Sequence, residues 1–347
     1  MNFLYLTLSI LLPLVLNLIF TPIIIAVAHK KNLFDVTDHR KTHVGNIPRL
    51  GGIGIFLATV ISAITMYILI KSSVSISFYI AISIIFISGI VDDVKPVRAY
   101  VKLLTQIAAS LTLIVGGFTL SHIYIPFIGY NLDFGILKYP ITFIWVIGVT
   151  NALNLLDGMD GQAGGVSVIA SITIGIVALL LGQTNITVIC FILAGSLIGF
   201  LNYNLPPAKI FMGDSGSLTI GFFLAAAPLL FQDTDVKGRV LLVGIAVLLI
   251  PIFDVFSAMI RRTKLKISFF HPDRGHIHHK FIDFTSLGTK QILLVIYSIC
   301  ILSGTLASLF IFNTNILTEI GLVLNLIIHL ILFGFLHRRK KAGVIKR

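Results

Sequence analysis

YPITFIWVIGVTNALNLLDGMDGQAGG, residues 139–165, starts as an apolar run and ends as a ladder of amides and carboxylates. Tyr139 through Thr150 carry no charge. Asn151, Asn154, Asp157 and Asp160 then recur every third residue, in a chain of which only 12% of residues are charged. An uncharged helix-length run suits the hydrocarbon of a bilayer, and a polar ladder at its end suits the membrane surface.

The rest of the chain agrees with that reading. Of its 347 residues, 56% are hydrophobic, and the mean hydropathy is +1.01. That composition excludes an ordinary soluble domain. Apolar runs of helical length fall at 3–28, 50–70, 76–91, 100–118, 138–153, 163–181, 185–203, 216–231, 239–260, 291–312 and 316–336. They predict an all-α, polytopic integral membrane protein with about 11 transmembrane helices in a single domain over 1–347. No internal repeat is visible. The run from Phe3 to Ala28 exceeds a signal-peptide core and is read as a retained span. Cys190 and Cys300 lie in apolar runs and indicate neither a disulfide nor a Cys-based metal site.

Alternating the connections sorts the basic residues. Loops 29–49, 92–102, 154–162, 204–215 and 261–290, with the tail 337–347, hold 22 of the 26 Lys and Arg. By the positive-inside rule that side is cytoplasmic, so the N-terminus is expected outside and the C-terminus inside. The net charge of +12 is then a topological signal, and nucleic acid is not an expected partner. Ten of the fourteen acids gather on the same side, which topology does not require.

Five stretches there carry chemistry. In SGIVDDVKPVRAYVK (88–102), Asp92 and Asp93 precede Lys95, Arg98 and Lys102. Paired carboxylates among cations suit Mg²⁺ binding or proton removal with phosphate held by the cations, or plain interfacial salt bridges. In the ladder, Asn154, Asp157 and Asp160 can converge on one ion or ligand, while a cap and turn would account for part of the pattern. In PPAKIFMGDSGSLTIG (206–221), Asp214 reads either as a cation ligand at a helix start or as an N-cap. Asp254 lies inside an apolar run, and His271, Arg274, His276, His278 and His279 crowd the loop after it. These suit a diphosphate or sugar hydroxyls better than zinc, since no Cys completes a tetrahedral set. Lys41 and His43, with Arg40 and Arg49, form a basic lip before Gly51, either an anchor or a phosphate and headgroup contact.

Taken together, these groups imply phosphoryl transfer at the cytoplasmic surface with a lipid substrate. An ion-coupled transporter is the reading from another class, but its acids would lie near the midplane, often with repeat symmetry. The sequence resembles the polyprenyl-phosphate N-acetylhexosamine-1-phosphate transferase family (glycosyltransferase family 4). The residues that carry the resemblance are RKTHVGNIPRLGG at 40–52, DD at 92–93, NLLDGMDG at 154–161, MGDSGS at 212–217, PIFD at 251–254 and DRGHIHHK at 273–280.

The resemblance implies transfer of a sugar-1-phosphate from a UDP-N-acetylhexosamine to polyprenyl phosphate, with release of UMP. HIHH, in which Ile277 interrupts the histidines, is similar to the GlcNAc-1-phosphate branch. The phospho-MurNAc-pentapeptide transferase branch has three adjacent His and is the alternative. Gln162 stands where the family commonly has Leu. Carried over, the resemblance makes Asp214, with Asn154 nearby, the Mg²⁺ site, Mn²⁺ being a substitute. Asp92 or Asp93 would orient or deprotonate the lipid phosphate, and Asp157 and Asp160 would meet the nucleotide or metal. Arg274, His276, His278 and His279 would hold the donor, and Asn151 joins the binding wall. The implied location is the bacterial inner membrane, and a homodimer is carried as an expectation.

Overall fold

The computed structural model describes residues 2–31, 33–34, 47–231, 234–266 and 276–336. Lys41, His43, His271 and Arg274 lie outside the described residues, as does the side chain of His278.

Apolar sequence becomes helix nearly throughout. The elements are α1 (Phe3–Lys30), α2 (Gly51–Ile70), α3 (Ile76–Val94), α4 (Ala99–Val115), β1 (His122–Ile125), β2 (Tyr130–Asp133), α5 (Lys138–Leu156), α6 (Gln162–Leu180), α7 (Thr184–Asn204), α8 (Gly213–Ala226), α9 (Thr234–Val247), α10 (Leu249–Leu265), α11 (Ile277–Phe284), α12 (Thr289–Phe312) and α13 (Ile316–Leu336). Nine described helices are long and apolar enough to cross a bilayer, ten if the bent pair α9–α10 is one span; α4 is a shorter apolar helix. In hydrocarbon a helix satisfies its own backbone, which leaves side-chain size to decide packing.

α7 and α8 are enclosed by the other helices, whereas α1 and α13 turn rows of Ile and Leu outward. Gly195 and Gly199 of α7 let α1 approach closely, since an added Cβ would run into the carbonyls of Ile10 and Leu14. Asn17 of α1 seals that contact by donating to the Ser196 carbonyl at 2.9 Å.

One local expectation is corrected. The run 239–260, read as one span, breaks at Leu248, and its halves lie 71° apart. Pro251 supplies the cause: its ring collides with the carbonyl four residues back, at Val247, but is tolerated in the first turn of a new helix. The eighth expected span, 216–231, is present at Gly213–Leu230, with α8 beginning at Gly213. The structure also adds an antiparallel hairpin, β1–β2, pairing His122 with Asp133 through Ile125 with Tyr130. It packs on α9, where Gly238 leaves room for Asn131 and the backbone at Tyr124.

Candidate active site

The ends of α3, α4, α5 and α8 meet at one end of the bundle. Asp92 and Asp93 close α3, Lys102 lies in the first turns of α4, Asn154 is in the last turn of α5, and Asp214 is in the first turn of α8.

The two carboxylates of the DD pair have different work. Asp93 accepts the N–H groups of Asp214 at 2.7 Å and Ser215 at 3.0 Å, and also the Ser215 hydroxyl. It thereby caps α8 from another helix, satisfying donors that would otherwise be orphaned. Gly213 makes this possible: its φ of +73° suits glycine, and a Cβ there would strike Asp93 and the Arg49 carbonyl. Asp92 accepts the N–H of Val97 at 2.8 Å and pairs with Lys102 at 2.8 Å.

Since α8 is capped by Asp93, the carboxylate of Asp214 is not used as an N-cap. It meets Lys102 at 2.6 Å, Arg49 at 3.6 Å and the Asn154 amide at 3.3 Å. Asn154 also donates to Ser217 Oγ at 2.8 Å, and Ser217 donates to the Gly213 carbonyl. The Lys102 ammonium thus bridges Asp92 and Asp214, whose side chains are 10% and 13% exposed. Lys95 and Arg98 stand exposed at the cap of α3 and the start of α4.

The ladder divides along its length. Asn151 does not reach the junction; its amide pairs with Gln106 of α4 at 2.7 and 3.3 Å. Asp157 ends α5. Burial first, then the charges of Asp214, Asp93 and Asp160, push its carboxyl well above the usual range against the pull of Arg49. Asp160 accepts the N–H of Ala208 at 3.0 Å, tying the ladder to the α7–α8 connection. Asn204 accepts from Gly161 N–H at 3.0 Å, and the Tyr297 hydroxyl donates to the Gly161 carbonyl at 2.6 Å.

Beside this junction lies a cavity of about 600 Å³. Its wall includes Asp160, Pro206 and Pro207, His279 of α11, and Lys290 and Gln291 of α12. His276, at the start of α11, is buried against Asp254.

Sequence reading missed Ser217, and it treated Arg49 only as part of a basic lip. Hydroxyls in an apolar helix carry no signal of their own. Arg49 became legible only once α2 packed beside α8, with Gly51 and Gly52 donating to the carbonyls of Phe211 and Met212.

Two carboxylates, Asp92 and Asp214, converge on one ammonium, that of Lys102, an acidic pair that suits a cation. Among the described residues no three His, Cys, Asp or Glu side chains form a protein-only metal cage. Mg²⁺ does not need one, because it takes one or two carboxylates and completes its shell with water and substrate phosphate. The position between Asp92 and Asp214 already accommodates a positive charge.

Such a junction, at one end of an apolar bundle and beside a ligand-sized cavity, carries the groups that phosphoryl transfer at a membrane surface would use. Residues 75–232 match the model for glycosyl transferase family 4, and the chain belongs to that family. It is 37% identical to the probable undecaprenyl-phosphate N-acetylglucosaminyl 1-phosphate transferase of Bacillus subtilis (strain 168), over 81% of this chain and 78% of that protein. It is 29% identical to the undecaprenyl-phosphate alpha-N-acetylglucosaminyl 1-phosphate transferase of Thermotoga maritima, over 84% of this chain and 87% of the relative. It is 31% identical to the decaprenyl-phosphate N-acetylglucosaminephosphotransferase of Mycobacterium leprae, over 79% and 76%.

Proposed function

We propose that the protein transfers GlcNAc-1-phosphate from UDP-GlcNAc to a polyprenyl phosphate, most simply undecaprenyl phosphate, at the cytoplasmic face of a bacterial inner membrane. The observation that carries this reading is the junction of Asp92, Lys102, Asp214 and Asn154 beside the cavity at Asp160 and His279. The names of the relatives support GlcNAc-1-phosphate as the transferred group and a polyprenyl phosphate as the acceptor. The orientation rests on the 22 of 26 Lys and Arg assigned to that end.

In this reading an oxygen of the lipid phosphate attacks the sugar-bearing phosphorus of the donor. One P–O bond forms, the bond to the bridging oxygen breaks, and UMP leaves with that oxygen. A phosphate monoester has a second pKa of about 6, so the acceptor is already largely ionised and needs no dedicated base. Lys102 and Arg49 supply the cations that hold phosphate, and Asn154 orients Asp214. Asp93 keeps the first turn of α8 in place. Asp214 and Asp92, with Asn154, would hold Mg²⁺ (or Mn²⁺), which supplies charge neutralisation of a diphosphate.

The test is release of UMP by purified protein given Mg²⁺, polyprenyl phosphate and either UDP-GlcNAc or UDP-MurNAc-pentapeptide, side by side. Turnover with UDP-GlcNAc alone is expected. Turnover with only the pentapeptide donor would refute the donor assignment.

A further inference from the structure

Asp254 lies outside the carboxylate junction and is 1% exposed, six residues into α10 beyond the bend. Both of its oxygens are spent on one short segment. Oδ2 lies 2.9 Å from Nδ1 of His276, and Oδ1 accepts the N–H of Ile277 at 2.8 Å. A buried carboxylate that lost these partners would be strongly unfavourable, so the pairing is a firm constraint on where the segment sits.

The segment it holds is α11, eight residues long and too short to persist by its own hydrogen bonds. Two things anchor α11. Ile277 and Phe281, four residues apart, bury one apolar edge, and Asp254 satisfies the first backbone donor and the adjacent imidazole. Within that first turn, His279 reaches the cavity wall that Asp160 also lines. The chain therefore runs from a membrane-embedded carboxylate to a helix start to the cavity, without Asp254 touching the cavity.

We propose that Asp254 is a positioning residue for the donor: through His276 and the Ile277 N–H it sets α11, and with it His279, against the cavity. The proposal rests on the reading of that cavity as the donor site. Nδ1 of His276 gives its hydrogen to the carboxylate, which fixes the ring's orientation and tautomer. An asparagine at 254 can still accept from Ile277 but turns its amide donor toward Nδ1, so the cap survives while the imidazole tautomer is reversed. A leucine removes both acceptors.

The experiment compares Asp254→Asn, His276→Asn, the double variant and Asp254→Leu with the wild type. Each single Asn variant raises the KM for UDP-GlcNAc about tenfold, the low end of what removing an orienting partner from a metal-bound imidazole costs. The KM for polyprenyl phosphate stays within about twofold, because only the donor side is disturbed. The double variant is no worse than the poorer single one, the mark of residues acting as a pair. In Asp254→Leu, amide hydrogen exchange over 277–284 accelerates while that of α5 and α8 does not.

Equal rises in both KM values, additive losses, or unchanged exchange over 277–284 would each overturn the proposal. A wild type inactive on UDP-GlcNAc defeats the donor assignment alone, since the exchange measurement still reports whether Asp254 sets α11.

Discussion

Both oxygens of Asp93 are taken by the first turn of α8, while its neighbour Asp92 faces Lys102. Adjacent carboxylates on a helix point about 100° apart, so they serve different neighbours, and the sequence offers no means of telling which is which. Gln162 presents a different problem at the same scale. It is fully buried, and neither amide atom has a hydrogen-bond partner among the described residues. Burying an unsatisfied polar group costs about 1–3 kcal/mol, so Gln162→Leu is expected to stabilise the protein by about that much. A raised thermal midpoint in detergent is the check. An unchanged or lowered midpoint means that something polar meets the amide. The composition of the ladder and its place at a helix end were legible, because spacing is a local property. The partition of its members was not, because Gln106, Ala208 and Asp214 reach it from 45 to 60 residues away.

The site depends at the element scale on how closely α3, α2 and α8 approach. A Cβ on Gly89 would collide with the backbone of Ser215, and one on Gly52 with that of Gly216. Overpacking of this kind costs about 1–3 kcal/mol, and here it would also shift the helix start that carries Asp214. Gly89→Ala is therefore expected to lower the thermal midpoint and to cut UMP release at least about tenfold, since small displacements at a reacting centre are costly. Normal turnover in that variant would show that the α3–α8 contact is not what sets the site. Helix existence was readable from apolar run length, and the break at Leu248 had a local signal in Pro251. The hairpin between α4 and α5 had none strong enough. Its strands are four residues each, and their pairing depends on the neighbouring α9.

Across the whole molecule, the ends of α3 and α5 and the starts of α4 and α8 come together at one junction. The sorting of basic residues speaks to sidedness and names no contact, because charge sorting acts on topology rather than on contacts. The long-range links are what the sequence withheld: Lys102 to Asp214 across 112 residues, and His276 to Asp254 across 22. The most direct test of the account is UMP release by Asp214→Asn, measured beside the wild type with Mg²⁺ and again in excess chelator. The account predicts a loss of about a hundred- to a thousandfold in the variant, the scale of removing one electrostatic group from a reacting centre. It also predicts loss of wild-type turnover in chelator. Undiminished release by Asp214→Asn would contradict the assignment of the Asp92–Lys102–Asp214 junction as the phosphoryl-transfer centre.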